Sequence, residues 1–599
     1  MKAKGKSKPF IVFWLAILLI SLFAGAAPAQ EIFQFQAHNT KLEILPQAAF
    51  SARFGDNPDV PRTDADVIAL ARKLYPPRGV KQPEAAAQPV HRCREYEVGV
   101  LFAALQNPAI SNLTRSQVDA IIQATIPLLP QTYTSGHFTF YYTDSDTDPQ
   151  NNVTLAQIQA TAAHLNSYWD KYAANFKTPK NYDSGGTAMV DVNVYYLGDG
   201  LYGETSSFWD NINLSSKLAV KNACMRRTTS AHELFHRVQY SYGYISGTAR
   251  MRWMVEGTAS WSQKYTNQSL RDYMANMNEG LSAPDRNLFN ARDYDACHFW
   301  VYLQKLAGTW AAIKEIWAAY ELNGFNAKAA VNTVTTSRLG KSFDQFVQAW
   351  VKANYLKDLD NAGSFEYDED EVLKLSCNKL YGPLSHVPRT TAPAISNDTY
   401  WSANGRVLPY GADYLDLPLS SGLDKLEVKV VGAAPGNYSY SFIGIKGNRW
   451  KAITNIKSTS QSNSYTYKRL LTPGEWDKLA LVVAGGSRGG DYAVAVGPDC
   501  ITGSWANFDS YTYPIELVRD GTSVTGSHYS QSCGLYNITG TYTAPDLTLF
   551  LKPQKTCCDV MYTGSINIHC DSVVGELTRS GAPAGCTGTA FWWMHKIKN

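Results

Sequence analysis

The segment Thr228-Thr229-Ser230-Ala231-His232-Glu233-Leu234-Phe235-His236-Arg237 decides the reading of this chain. It contains the pattern His-Glu-x-x-His. On a helix, positions i and i+4 lie one above the other, so His232 and His236 can point at a single ion. Glu233, one step after the first histidine, falls beside that ion, placed to take a proton from water. A zinc centre with an open catalytic position needs a third protein ligand. A Gly and a His continuing the motif would supply one, but Gln239 and Tyr242 occupy those places. A glutamate on a following helix can also supply one. Trp253-Met254-Val255-Glu256-Gly257-Thr258-Ala259 offers it, with nineteen residues between His236 and Glu256.

With these strings the chain resembles the gluzincins, the thermolysin-like and aminopeptidase-like zinc metallopeptidases of the MA-like peptidase group. Trp-x-x-Glu-Gly-x-Ala is similar to the third-ligand helix of the aminopeptidase branch. The likeness covers roughly residues 136–356 and is specific around 228–261. It implies one zinc ion held by His232, His236 and Glu256, with Glu233 as catalytic base. It also implies a phenol or imidazole that steadies the oxyanion. In Tyr294-Asp295-Ala296-Cys297-His298, Tyr294 stands where the aminopeptidase branch has its catalytic tyrosine, and His298, one turn on, competes for the role. The Gly-x-Met-Glu-Asn strand that binds a substrate's free amine in that branch is missing, which favours an endopeptidase acting on protein or peptide. The edge strand that would hold an extended substrate is expected at Lys217 to Lys221.

Working outward, Phe138, Phe140 and Tyr142 alternate with Thr139 and Tyr141, a half-buried strand. Leu155, Ile158, Ala162, Leu165, Trp169, Tyr172 and Phe176 recur at helical steps, and Val190, Val192 and Val194 alternate again. A strand–helix–strand unit therefore leads into the metal motif, and helical, aromatic-rich stretches at 294–306, 309–321 and 343–356 follow it. Beyond Thr390 helical periodicity gives way to strands between Gly-rich turns. The expected fold is multidomain. An α+β zincin-like catalytic domain over 131–385 precedes a β-sandwich over 390–498 and a small disulfide-rich antiparallel β-barrel over 499–599.

The start of the chain reads as an address. Lys2, Lys4, Lys6 and Lys8 precede an apolar run from Phe10 to Phe23, then Ala27 and Ala29, so residues 1–29 are expected to be a signal peptide. The apolar run is shorter than the ~20 residues a membrane span needs, and no later segment is long and apolar enough. The protein is thus expected to be secreted or periplasmic, with no membrane span after cleavage. A formal net charge of +3 in 599 residues gives no reason to expect nucleic acid as partner. Six of the ten cysteines (Cys500, Cys533, Cys557, Cys558, Cys570 and Cys586) crowd the last hundred residues, the pattern of a cross-linked small domain.

Residues 30–130 are an N-terminal extension or a propeptide. In the latter case Cys93 would cap the metal as a latency thiolate. The even cysteine count favours instead a disulfide to Cys224, Cys297 or Cys377. Asp144, Asp146 and Asp148 have calcium-loop spacing, but Pro149 and Leu155 stand where such a loop needs Gly and Glu. That excludes an EF-hand and leaves calcium without support. The competing functions are an inert zincin-like scaffold serving as a surface binding or adhesion protein, and a ligand carrier resting on the C-terminal barrel. The C-terminal β domains are where glycan or surface ligands would dock.

Overall fold

A computed structural model describes residues 32–35, 40–55, 57–77, 93, 95–181, 189–247, 251–267, 270–367, 374–376, 379–381, 383–396, 401–423, 425–433, 436–457 and 464–497. From the last hundred residues it describes 503–507, 510–520, 523–530, 534–543, 546–553, 559–566, 572–580 and 588–596. The expected signal peptide lies outside these residues, as do Cys377 and all six cysteines of the C-terminal cluster. The chain divides into two compact units. One comprises Met1–Gly280, Phe289–Phe343 and Asp368–Leu384; the other comprises Leu281–Leu288, Asp344–Tyr367 and Ser385–Asn599.

The first unit opens with a two-stranded ribbon, β1 (Ile32–Phe35) and β2 (Thr40–Glu43). Four helices follow: α1 (Gln47–Phe54), α2 (Asp64–Leu74), α3 (Glu95–Leu105) and α4 (Asn112–Thr125). Thr63 and Ser111 cap α2 and α4 by accepting the backbone N–H groups of Asp66 and Thr114, satisfying donors that the first turn leaves open. The apolar faces of these helices meet in one core that also takes in Trp209. Phe102, on α3, sits edge-on to Trp209 at 5.0 Å and stacks with Phe208 at 5.9 Å. The described residues of the stretch 30–130 therefore pack into the same unit as the His-Glu-x-x-His helix.

The mixed sheet of the first unit has the order β3-β4-β5-β7-β6. Its strands are β3 (Gln131–Ser135), β4 (Phe138–Tyr142), β5 (Val190–Tyr195), β6 (Gly203–Thr205) and β7 (Asn211–Ser215). β4, β5 and β7 run parallel, while β6 lies antiparallel to β7 at the edge. The long helix α5 (Leu155–Asn175) begins with a capping box made by Thr154 and Gln157. Lys217 to Lys221 is not the edge strand: Ser216–Val220 is a single π-helical turn whose N-cap, Ser215, accepts from Leu218 N–H. The local hydroxyl cap diverts this stretch from extended pairing, and β6 takes the edge position.

The helices that carry the motif are α6 (Ala223–Ser241) and α7 (Arg252–Thr266), followed by α8 (Tyr273–Ser282), α9 (Cys297–Ala307), α10 (Ala311–Leu322) and α11 (Ala327–Leu339). Every side chain of α6 from Thr228 to Tyr240 is buried. Gly257 of α7 permits close contact with α9, since a Cβ there would lie 2.6 Å from Trp300 Nε1. Trp300 in turn donates to the Trp253 carbonyl at 2.9 Å and stacks on the Trp253 ring at 5.2 Å.

In the second unit, two sheets share one hydrophobic core, the sandwich expected for 390–498. After a small ribbon of β8 (Lys374–Ser376) and β9 (Lys379–Tyr381), which belongs to the first unit, come β10 (Thr390–Thr391), β11 (Trp401–Val407), β12 (Ala412–Pro418), β13 (Lys425–Gly432) and β14 (Tyr438–Lys446). β15 (Arg449–Lys457), β16 (Ser464–Leu470), β17 (Lys478–Gly485) and β18 (Gly490–Gly497) complete the set. The orders are β10-β12-β17-β14-β15 and β11-β18-β13-β16. Helix α12 (Phe343–Leu356) docks on β12, where Tyr355 donates to Asp416 at 2.6 Å and Tyr414 to the Val351 carbonyl at 2.8 Å. Residues 344–367 thus pack with the sandwich, upstream of the boundary expected near 385.

Eight antiparallel strands fill the C-terminal hundred residues: β19 (Gly503–Asn507), β20 (Ser510–Asp520), β21 (Ser523–Ser530), β22 (Gly534–Thr543), β23 (Asp546–Pro553), β24 (Asp559–Ile566), β25 (Ser572–Ser580) and β26 (Gly588–Lys596). Each pairs with the next, and β26 pairs back onto β19, closing the ring. No helix among the described residues is long and apolar enough to cross a membrane.

Replacing Phe102 by Ala should destabilise the first unit by about 3–5 kcal/mol, the range for emptying a buried aromatic site. Thermal or urea denaturation of the purified chain measures this. An unchanged transition would mean that the N-terminal helices are not part of the unit's core.

Candidate metal centre

Helix α6 is started by Asn222, whose side-chain oxygen accepts from the N–H groups of Cys224 and Met225 at 3.0 and 3.2 Å. It is fixed laterally by two contacts. Tyr172 on α5 donates to the Ala231 carbonyl at 2.9 Å. Arg237 donates to the carbonyls of Lys180 and Trp209 at 2.8 and 3.0 Å and pairs with Asp210. The helix therefore presents His232 and His236 from a backbone that is held on both sides.

Glu256, on α7, reaches the same point. Its Oε2 lies 3.1 Å from His232 Nε2 and 3.7 Å from His236 Nε2. A fourth donor joins them: Cys93 Sγ is 3.8 Å from His236 Nε2. The four donor atoms all lie within 4.8 Å of one another, and all four residues are buried. Ligands at zinc-like bond lengths in a tetrahedron stand about 3.3–3.8 Å apart; the His236–Glu256 and His236–Cys93 separations fall in that window, and His232–Glu256 lies just below it. The donor set, two imidazoles, one carboxylate and one thiol, also suits a borderline-soft divalent metal.

Electrostatics point the same way. Glu95, Glu204, Glu233 and Glu256 are all buried in this region. Burial raises the carboxyl of Glu233 well above its usual range, and the Glu256 charge adds to it. Burial likewise raises Glu256, against the pull of His236. Burial pushes the Cys93 thiol well up, with Glu233 and Glu256 contributing. Burial brings His236 down to about 4, so its ring is neutral and has a lone pair to offer. A neutral imidazole with a free lone pair is the form in which histidine can ligate a metal.

Three residues that the sequence reading passed over shape the centre. Gln239 Oε1 lies 2.8 Å from His236 Nδ1, while its Nε2 donates to the Val255 carbonyl at 2.8 Å and to Thr258 Oγ1 at 3.0 Å. With its amide committed to α7, Oε1 must accept from His236 Nδ1–H, which leaves Nε2 bare toward the donor cluster. Gly203, at the edge of the sheet, stands against Glu233. A Cβ there would lie 2.6 Å from Glu233 Oε1. Glu95 accepts from Tyr240 at 3.4 Å and from Tyr244 at 3.3 Å. This ties the start of α3, two residues after Cys93, to the end of the histidine helix. Gln239 was visible only as a departure from another motif, and neither Gly203 nor Glu95 belongs to any string.

Glu233 Oε2 receives the Cys93 thiol at 3.4 Å, while Oε1 has no hydrogen-bond partner among the described residues. Of the two oxyanion candidates, Tyr294 is at the centre. Its ring stacks on His232 at 5.5 Å, and its hydroxyl donates to the Cys93 carbonyl at 2.8 Å. His298 is not there; its Nδ1 lies 2.5 Å from the Asp295 carbonyl, and its ring is wedged against Gly280. Cys93 forms no disulfide, contrary to expectation, and neither does Cys297, whereas Cys224 is disulfide-bonded. Asp146 and Asp148 spend carboxylate oxygens on the backbone N–H groups of Asp148 and Gln150, at 2.8 and 3.0 Å, as turn caps do. A small cavity beside His232 and Glu233 is bordered by Tyr202, Thr228, Gln263 and Asp272.

No family model matches this chain. No curated protein matches it either. Among solved structures it is similar to the pre-peptidase C-terminal domain of a collagenase from Bacillus anthracis, at 12% identity over 18% of this chain and 94% of that one, with a TM-score of 0.14. PliG, a periplasmic inhibitor of g-type lysozyme from Aeromonas hydrophila, matches at 11% identity over 18% and 94% of the two chains, TM-score 0.14. A mitogen derived from Yersinia pseudotuberculosis matches at 11% over 17% and 86%, TM-score 0.13. Likenesses this partial carry no argument, and the centre stands on its own geometry.

Gln239→Leu removes the acceptor that orients His236 while keeping the side chain's bulk. It should weaken divalent-metal binding by about 10–100-fold, as read by competition with a chromophoric chelator. Unchanged affinity would mean that His236 is oriented without it.

Proposed function

We propose that the chain is a zinc-dependent endopeptidase in which His232, His236 and Glu256 hold the metal and Glu233 is the catalytic base. The observation that carries this is the convergence of three donors from two helices on one point, with Glu233 on the same helix as the histidines and its Oε1 without a hydrogen-bond partner among the described residues. Zinc, when bound there, polarises carbonyl groups and makes water more acidic.

The protein's own groups supply the rest. Glu233 takes the proton of the attacking water and later gives it to the leaving amine. The Tyr294 hydroxyl already contacts a peptide carbonyl, so it has the reach to donate to the oxygen on which charge develops. Strand β6 offers an edge with which an extended peptide can pair. Gly203 keeps that edge close to Glu233. The basic, apolar and small-residue start of the chain supports export, and an extracytoplasmic protein or peptide as substrate.

One observation favours a second reading, an inert zincin-like scaffold for surface binding. Cys93 makes a fourth protein donor, and fully protein-ligated zinc is the pattern of structural sites. Assays on the chain and on its Cys93→Ala variant separate the two readings. In the variant, cleavage of an unfolded protein should be zinc-dependent and stopped by a chelator. Adding Glu233→Gln should leave one zinc per chain and cut turnover by about 10²–10⁴-fold. Turnover that survives Glu233→Gln would overturn the mechanism; zinc binding without cleavage in either background would favour the scaffold.

A further inference from the structure

Cys93 engages every element that the proposed mechanism needs for a substrate. Its sulfur is one of the four mutually close donors, 3.8 Å from His236 Nε2. Its thiol reaches Glu233 Oε2 at 3.4 Å, the carboxylate assigned as base. Its carbonyl accepts from the Tyr294 hydroxyl at 2.8 Å, and its N–H donates to the same oxygen at 2.9 Å. Its backbone forms a parallel bridge with Gly203, the first residue of the edge strand β6. A single residue thus meets the metal donors, the base, the oxyanion donor and the peptide-pairing edge.

The position is built rather than incidental. Cys93 is 1% exposed and precedes α3, whose Val98 and Val100–Leu105 lie in the hydrophobic core. Glu95 is clamped by Tyr240 and Tyr244, and Arg252 lies over the Tyr96 ring at 4.8 Å and 3.6 Å from Glu97. The helix is also pressed close: a Cβ on Gly99 would lie 2.3 Å from the Gly247 nitrogen. The chain on the C-terminal side of Cys93 is therefore anchored to both ligand-bearing elements.

We propose that Cys93 is a fourth metal ligand and an internal pseudosubstrate, so that the chain folds into a self-blocked form whose open position is filled by its own thiolate and peptide group. This rests on the endopeptidase reading for its consequence but not for its coordination chemistry. Opening requires that the sulfur leave the metal and that the Cys93 peptide group release the Tyr294 hydroxyl and Gly203, while the two histidines and Glu256 remain.

The test uses the full zinc-loaded chain beside Cys93→Ala and Cys93→Ser, with folding checked by circular dichroism. X-ray absorption at the zinc edge should show a sulfur neighbour at about 2.3 Å in the parent and none in either variant, with one zinc per chain in all three. If the open form is about 10% of the parent population or less, both variants should cleave an unfolded protein about tenfold faster or more. Absence of the sulfur neighbour in the parent would overturn the ligand assignment. Equal cleavage by parent and variants, despite the sulfur neighbour, would overturn self-blocking. Cleavage by none of the three, with zinc and sulfur in place, would overturn the endopeptidase reading and self-blocking with it, while supporting Cys93 as a ligand.

Discussion

Bringing several acids together in an apolar interior is costly, and this constraint organises the first unit. Glu233 and Glu256, with Glu95 close behind them, lie out of water, along with a thiol that also ionises to a negative charge. Left alone, such a group resolves its conflict by staying protonated, which the raised proton affinities of Glu233, Glu256 and Cys93 express. A divalent cation resolves it differently, by supplying the missing positive charge. The buried helices, the tyrosine clamp on Glu95 and the Gln239 amide all hold donors where such a charge could be shared.

The architecture explains how that cluster is kept in order. The histidines come from one helix, so their spacing is set by helical geometry alone. Glu256 comes from another, so its distance depends on how α6 and α7 pack. Gln239 joins them by holding His236 with one end and the Val255 carbonyl with the other. Ligand orientation and helix packing are thereby linked in a single side chain. The aromatic contacts beneath, Trp253 on Trp300 above all, stop α7 from turning away from the centre.

Much of the centre was legible in the sequence, because helical periodicity turns a local string into a shared face. His232, Glu233 and His236 needed only that rule, and Glu256 needed the rule plus a spacing seen in a known family. Tyr294 could be named but not separated from His298, because the two lie four residues apart on a helical stretch, and only tertiary packing shows which one turns toward the histidines. Cys93 was the instructive difference. Counting cysteines favoured a disulfide, but pairing depends on which backbones meet, and composition does not encode that. The strand alternation of the β domains was readable, and so was the sandwich. The edge strand was misplaced because a serine cap coiled residues 216–220 into a turn, while β6 is only three residues long, too short to show alternation.

The packing of α3 bears on how the thiol contact can be undone. In a precursor whose inhibitory segment is cut away, release is irreversible, since the severed piece diffuses off. Here the residues just beyond Cys93 belong to the same oily interior as Phe102 and Trp209, and they stay when the sulfur moves. The detached group remains tethered to the packed start of α3, at a high local concentration. Any departure is a local and repeatable excursion, and the protein can return to its former state as soon as whatever drew the sulfur away is gone.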